Sequence, residues 1–272
     1  MKIKKLPLLV FFALFLIAIT FNSCKKDFDP IAEMPESFTK KVLIEEFTAE
    51  WCAACANAFS RIQTVLDENP STVFAATIHS NDPFSNSQTQ KVKNAFSVSS
   101  YPSSMVDRFS FGNTNPRVYP STSTLRNRSE DRLETTALMG LKIETEILDD
   151  GKANITVFVG HNEIPPGKPR LTTYLLEDNV PAVNQAGTND PDFKHHHVLR
   201  KVLTNETGNE MEFNELERVF HTFKYENVDI SDYNKDNLEV IAFVHYFDEG
   251  DLSAHEIINV QKVKLGENQD WD

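Results

Sequence analysis

Cysteine is scarce in this chain: three residues in 272. A zinc site built on Cys52 and Cys55 would need two more Cys or His ligands at suitable spacing. Only Cys24 is left among the cysteines, and the nearest histidine is His79. Basic residues are in deficit as well. The 27 Lys and Arg face 40 Asp and Glu, for a net charge of −13. Such a surface repels phosphate backbones, which excludes nucleic acid as a partner. It favours solubility and says nothing of fold. A glycine-rich phosphate loop, a Ser-His-Asp arrangement, an internal repeat and a low-complexity tract are all missing, and no cofactor is implied.

Long apolar runs are nearly missing too. The exception, Leu6 to Phe21, follows Lys2, Lys4 and Lys5 and is slightly short for a membrane-spanning helix. Basic start and apolar run together read as a secretory signal. Phe21-Asn22-Ser23-Cys24 resembles a bacterial lipobox, which implies cleavage after residue 23 and a lipid on Cys24. The alternative is an uncleaved anchor; both place the rest outside the cytoplasm. More than one acyl chain on Cys24 gives stable membrane attachment. Loss of the signal leaves 24 basic against 40 acidic residues, a charge of −16. Lys25-Lys26-Asp27-Phe28-Asp29 resembles the export tags of Bacteroidetes surface lipoproteins, and residues 24–38 read as the lipidated cysteine and its tether.

From Lys40 onward the pattern is α/β. Buried strands are expected over Val42–Phe47, Val73–Ile78 and Ser103–Asp107. Helices are expected over Cys52–Leu66, with Phe59, Ile62, Val65 and Leu66 inward, over Ser87–Phe96 and over Ser123–Ala137. Around Gly140 the texture changes. Leu141–Leu148 and Ala153–Val159 alternate across Asp149-Asp150-Gly151, which predicts a hairpin. Strands follow at Leu171–Leu176, Val198–Leu203, Val219–Tyr225, Leu238–Tyr246 and Ile257–Leu265, with no helix between them. The fold class is therefore a small α/β domain over 39–139 followed by an all-β, immunoglobulin-like sandwich over 140–266, with a tail at 267–272. The segment from Val180 to His197 is a long polar loop, a length that marks functional or mobile segments. His195-His196-His197 invites a metal, but consecutive residues on a strand point to alternate sides, so an exposed polar loop is the default and no metal is assigned. Asp248-Glu249-Gly250-Asp251 lacks the spacing of an EF-hand and reads as a hairpin loop.

The chemistry lies in Trp51-Cys52-Ala53-Ala54-Cys55, between a strand and a helix. The spacing brings two sulfurs within reach of a disulfide. It also puts Cys52 near the positive end of a helix dipole, which favours its thiolate. Cys52 is the expected nucleophile and Cys55 the resolving thiol. A purely structural disulfide is the competing reading, although so short a loop constrains little chain entropy.

The stretch from Val42 to Cys55 resembles the active-site strand and helix of thioredoxin-like proteins. More narrowly, Glu46-Phe47-Thr48 before Trp51-Cys52, and Tyr101-Pro102 before Val106-Asp107-Arg108, are similar to the thioredoxin-like lipoproteins of Bacteroidetes related to outer membrane protein 28. That resemblance implies a thioredoxin domain followed by a β-rich domain, in a protein of the outer membrane. It implies that Pro102 is the cis-proline facing the dithiol and that the Tyr101 backbone lines the substrate groove. It implies too that Glu46 is the buried acid that moves the proton of Cys55, with Glu45 as the alternative if the strand register slips by one. Trp51 shields the dithiol. The function expected is a lipid-anchored cell-envelope thiol-disulfide oxidoreductase with protein disulfides or dithiols as partners. The alternative is a non-catalytic surface lipoprotein on a thioredoxin scaffold.

Overall fold

The computed structural model describes residues 34–112, 115–213, 219–248 and 250–271. The signal, the lipid site at Cys24 and the Lys25–Asp29 segment lie outside the described residues. Among the described residues, no helix is long and apolar enough to cross a membrane.

The strands are β1 (Val42–Thr48), β2 (Val73–His79), β3 (Ser103–Val106), β4 (Arg117–Val118), β5 (Met139–Ile147), β6 (Lys152–His161), β7 (Arg170–Glu177), β8 (Val180–Pro181), β9 (Lys194–His195), β10 (Val198–Val202), β11 (Asn209–Glu210), β12 (Val219–Asp229), β13 (Leu238–His245), β14 (Ile257–Lys264) and β15 (Asn268–Gln269). The α-helices are α1 (Cys55–Glu68), α2 (Ser87–Ala95) and α3 (Thr122–Leu133). The thioredoxin-like part has β1 parallel to β2 and antiparallel to β3, with α1 and α3 on one face and α2 on the other. The β-rich part is antiparallel, consistent with an immunoglobulin-like sandwich.

The two parts share one sheet, in the order β14-β13-β7-β10-β2-β1-β3-β4. The seam is the parallel pairing of β10 with β2 at Val198 and Thr77, where the Thr77 N–H donates to the His197 carbonyl at 2.8 Å. The second sheet, β12-β6-β5-β15, packs on the outer half of the first. This explains the apolar runs of β7 and β13. Leu171, Leu175, Val240, Ala242 and Val244 face the second sheet, while Tyr174, Leu176, Ile241 and Phe243 face the thioredoxin-side core. Strands covered on both faces lose simple alternation.

Other expectations need adjustment. Helix α3 ends at Leu133 rather than Ala137, because the chain bends there into β5 and Ala137 forms a bridge with Phe38. The end of the tether and the tail are docked. Met34, Phe38 and Trp271 are buried against Ala137 and Phe158, and β15 pairs with β5. Gly140 and Gly160 make this possible, since a Cβ at either would overlap Phe38 or Met34.

Val106-Asp107-Arg108 does structural work. Asp107 accepts from the Leu43 N–H at 2.9 Å and pairs with Lys40 at 2.6 Å and Arg132 at 3.2 Å. Arg108 grips Glu45 through two hydrogen bonds of 2.6 and 2.8 Å and donates to the Tyr174 hydroxyl on β7 at 3.2 Å. These charges are buried, so each must keep its partner.

Helix α2 begins with a capping box. Asn86 accepts from the N–H groups of Gln88 and Thr89 at 2.9 and 3.0 Å, and the Thr89 hydroxyl accepts from the Asn86 N–H at 2.9 Å. The Asn86 amide also donates to the Arg200 carbonyl on β10. Asn86→Ala should cost about 1 to 2 kcal/mol, read as a lower urea midpoint with an unchanged slope.

Candidate functional site

Strand β1 ends at Thr48 and the chain turns at once, with the Cys52 N–H donating to the Ala49 carbonyl at 3.1 Å. The Cys55 N–H then donates to the Cys52 carbonyl at 3.0 Å. The helix therefore starts at Cys55, and Cys52 sits in the turn before it rather than inside the helix as expected. Cys52 and Cys55 are closed as a disulfide with their Cα atoms 5.4 Å apart. Buried residues of α1 fall at Cys55, Ala58, Ile62, Val65 and Leu66, a single stripe at helical spacing. Phe59 is not on that stripe. It is half-buried against Phe193 and stacks on His196, both from the long loop.

Cys52 is 7% exposed and Cys55 2%, so the order of accessibility is the expected one. Ala49 and Tyr101 pack against the pair. The Tyr101–Pro102 bond is cis. Trp51 is 52% exposed, packs edge-on against Tyr101 at 5.2 Å and donates from Nε1 to the Ser80 carbonyl at 3.0 Å. The structure thus brings Trp51, Cys52, Cys55 and Tyr101 together, with Pro102 beside Tyr101.

Glu46 is buried on β1, the strand that leads into the cysteine turn. Leu43, Glu45 and Phe47 point to one face of β1; Val42, Ile44 and Glu46 point to the other, which packs on α1. Glu45 is committed to Arg108, so the register does not slip. Glu46 Oε1 has no hydrogen-bond partner among the described residues. Burial without compensation pushes its carboxyl up to about 8.

The loop from Val180 to His195 returns over this turn. It is a hairpin-like strap closed at its base by the β8–β9 pairing and by the Ala182 N–H donating to Phe193 at 3.0 Å. The carboxylate of Glu50 accepts from the N–H groups of Val183 and Asn184 at 2.6 and 3.2 Å, and His195 Nε2 stands 3.3 Å away. The Glu50 carbonyl accepts from Ala186 N–H at 2.7 Å. Gln185 Nε2 donates to the Cys52 carbonyl at 3.2 Å. Gly187, at φ 81°, lies so close that a Cβ would overlap the backbone of Ala53. Glu50, Gln185 and Gly187 escaped the sequence reading. The length of the loop was the available signal, and nothing in it named the surface on which it lands.

Of the three histidines, His196 and His197 share Asp178 and His195 turns to other partners. His195 meets Glu50 and the ring of His79, whose centroid is 4.6 Å away; burial and the nearby His79 pull it down to about 4. His196 stacks on Phe59 and lies 3.2 Å from Asp178. His197 Nδ1 stands 3.4 Å from Asp178 and 3.3 Å from Glu239, and Glu239 also pairs with Lys262 at 2.7 Å.

A family model described as outer membrane protein Omp28 matches residues 89–269. Among solved structures, HBP35 of Porphyromonas gingivalis aligns with a TM-score of 0.74 at 22% identity, over 86% of this chain and 78% of that one. A protein of Agrobacterium tumefaciens aligns with a TM-score of 0.56 at 12% identity, over 84% and 96%. At these identities the two structures speak to fold. No match was found among curated protein sequences.

Proposed function

This chain belongs to the outer membrane protein Omp28 family, and from that premise we propose that it is a thiol-disulfide oxidoreductase of the cell envelope, anchored by lipid on Cys24. The observation that carries the proposal is the Cys52–Cys55 pair closed at the N-terminal turn of α1, on a thioredoxin-like strand and helix. In the reducing direction the Cys52 thiolate attacks a partner disulfide. A mixed disulfide forms and one partner sulfur leaves as thiolate. Cys55 then attacks the Cys52 sulfur and releases the second partner thiolate, so the protein ends oxidised and the partner reduced by two electrons. The reverse sequence oxidises a partner dithiol. Glu46 accepts the proton of Cys55, as its position on the α1-facing side of β1 and its raised carboxyl suit it to do. Trp51 and Tyr101 bound the surface a partner meets.

A second reading, a scaffold lipoprotein with a permanently closed disulfide, draws support from the burial of both cysteines. Redox titration of residues 26–272 against glutathione separates the two, with alkylation and mass as read-out. The oxidoreductase is expected to give a potential within roughly −120 to −270 mV. A potential below about −300 mV, with thiols that react only after unfolding, would establish the scaffold.

A further inference from the structure

Cys52 keeps little exposed surface although it sits in a surface turn. Trp51 and Tyr101 close one flank. The strap closes the other, with Gln185 on the Cys52 carbonyl and Gly187 on the backbone of Ala53. The base of the strap is packed, with Phe193 on Phe59 and Val180 in a cluster with Phe84, whereas its tip is held by polar contacts that converge on Glu50, which is 4% exposed and accepts from Val183, Asn184 and Ala186. Apolar packing contributes little at its tip. Val183 is 70% exposed, and the strap folds round a pocket of about 240 Å³ lined by its own residues, among them Ala182, Asn184, Thr188 and Phe193. A segment with few buried apolar contacts opens locally at low cost once its hydrogen bonds are removed.

We propose that the strap, latched by Glu50, sets the substrate class of the dithiol: low-molecular-weight thiols and disulfides exchange with Cys52 while it is closed, and protein disulfides only once it is released. The inference rests on the oxidoreductase function proposed above. Attack on a disulfide needs the nucleophilic sulfur in line with the S–S bond. A protein disulfide brings flanking backbone that meets the strap, whereas a small disulfide brings none. With oxidised glutathione, Cys52 attacks one sulfur and a glutathione thiolate leaves. Cys55 then displaces the second, so the oxidation of the dithiol balances the reduction of one glutathione disulfide to two thiols. Glu50 is here a positioning residue acting through the strap.

The test measures the rate constants for oxidation of the reduced protein by oxidised glutathione and by insulin. Glu50→Ala is expected to raise the insulin rate at least tenfold and the glutathione rate less than threefold. Hydrogen exchange at the amides of Val183 and Asn184 should quicken in parallel, and Glu50→Gln, which keeps an acceptor oxygen, should fall between. Gln185→Ala perturbs the strap from its own side and should shift the same ratio if Glu50→Ala does not fold. An insulin-to-glutathione ratio unchanged in the folded variants overturns the filter while leaving the oxidoreductase intact. A wild-type dithiol inert to both probes overturns the oxidoreductase itself, and the filter with it.

Discussion

Cys55→Ser is expected to abolish turnover and to accumulate a mixed disulfide on Cys52, whereas Cys52→Ser abolishes turnover and captures nothing. The asymmetry follows from position. Cys52 lies in the turn ahead of α1 and keeps some exposure, while Cys55 opens the helix and is almost wholly enclosed. Without Cys55 the first exchange still occurs and the intermediate has no resolving thiol. Without Cys52 an incoming disulfide must reach a sulfur that faces the core. Loss of either member of a unit that acts together should cost about three orders of magnitude or more in turnover. Neither variant should unfold, since closing so short a loop is worth about 2 kcal/mol in the chain-entropy account. Intact-mass spectra after incubation with oxidised glutathione give the read-out. Equal capture by both variants, or none by either, would remove the assignment of nucleophile and resolving thiol.

Glu46→Gln should change the pH dependence of stability. The folded carboxyl titrates near 8 because burial disfavours its charged form, and Oε1 has no compensating partner among the described residues. In the unfolded chain the same group titrates near the ordinary glutamate value. Between the two values the folded state holds a proton that the unfolded state has lost, so folding grows less favourable as pH rises through that window. The stability is whole below about 4.5 and the loss is complete above about 8. At about 1.4 kcal/mol per unit, the cost is on the order of 4 to 5 kcal/mol. Glutamine has no such proton to lose. Wild type and Glu46→Gln should therefore have similar urea midpoints at pH 5 and diverge steadily up to pH 8.5, with the variant the more stable. If Glu46 also accepts the proton of Cys55, the variant loses the inflection near pH 8 in its exchange rate and slows by about 10²-fold. Parallel stability curves for the two proteins would show that Glu46 is solvated.

Much of this was legible in advance. Val42–Phe47 and Val73–Ile78 declared themselves through apolar runs and the long strands after Gly140 through alternation or apolar runs, because burial dictates composition locally. The Asp150-Gly151 turn was visible because Gly151 takes φ 74°. The cysteine pair was visible because its chemistry depends on three-residue spacing. Two errors share a cause. Phe59 looked like a core residue and instead meets Phe193 and His196, and residues 267–272 looked like a tail and instead supply β15 and the buried Trp271. In both, the partner is remote in sequence, and hydrophobicity shows that a residue wants burial without showing against what.

The sequence by itself determined the order of the three helices and the long strands, the change from α/β to all-β near Gly140 and the place of the dithiol, since each rests on periodicity or on neighbours within a few residues; the acid on the strand before the dithiol came from the family resemblance. Tertiary structure alone decided which of two adjacent glutamates is held in an ion pair, for that turned on Arg108 claiming Glu45 from 63 residues away. It alone joined β10 to β2, making one sheet of two regions. And it alone laid the Val180–His195 strap across Cys52, because a carboxylate at Glu50 meets backbone N–H groups 133 and 134 residues distant. Backbone donors carry no sequence signature, so where they land is fixed by the fold.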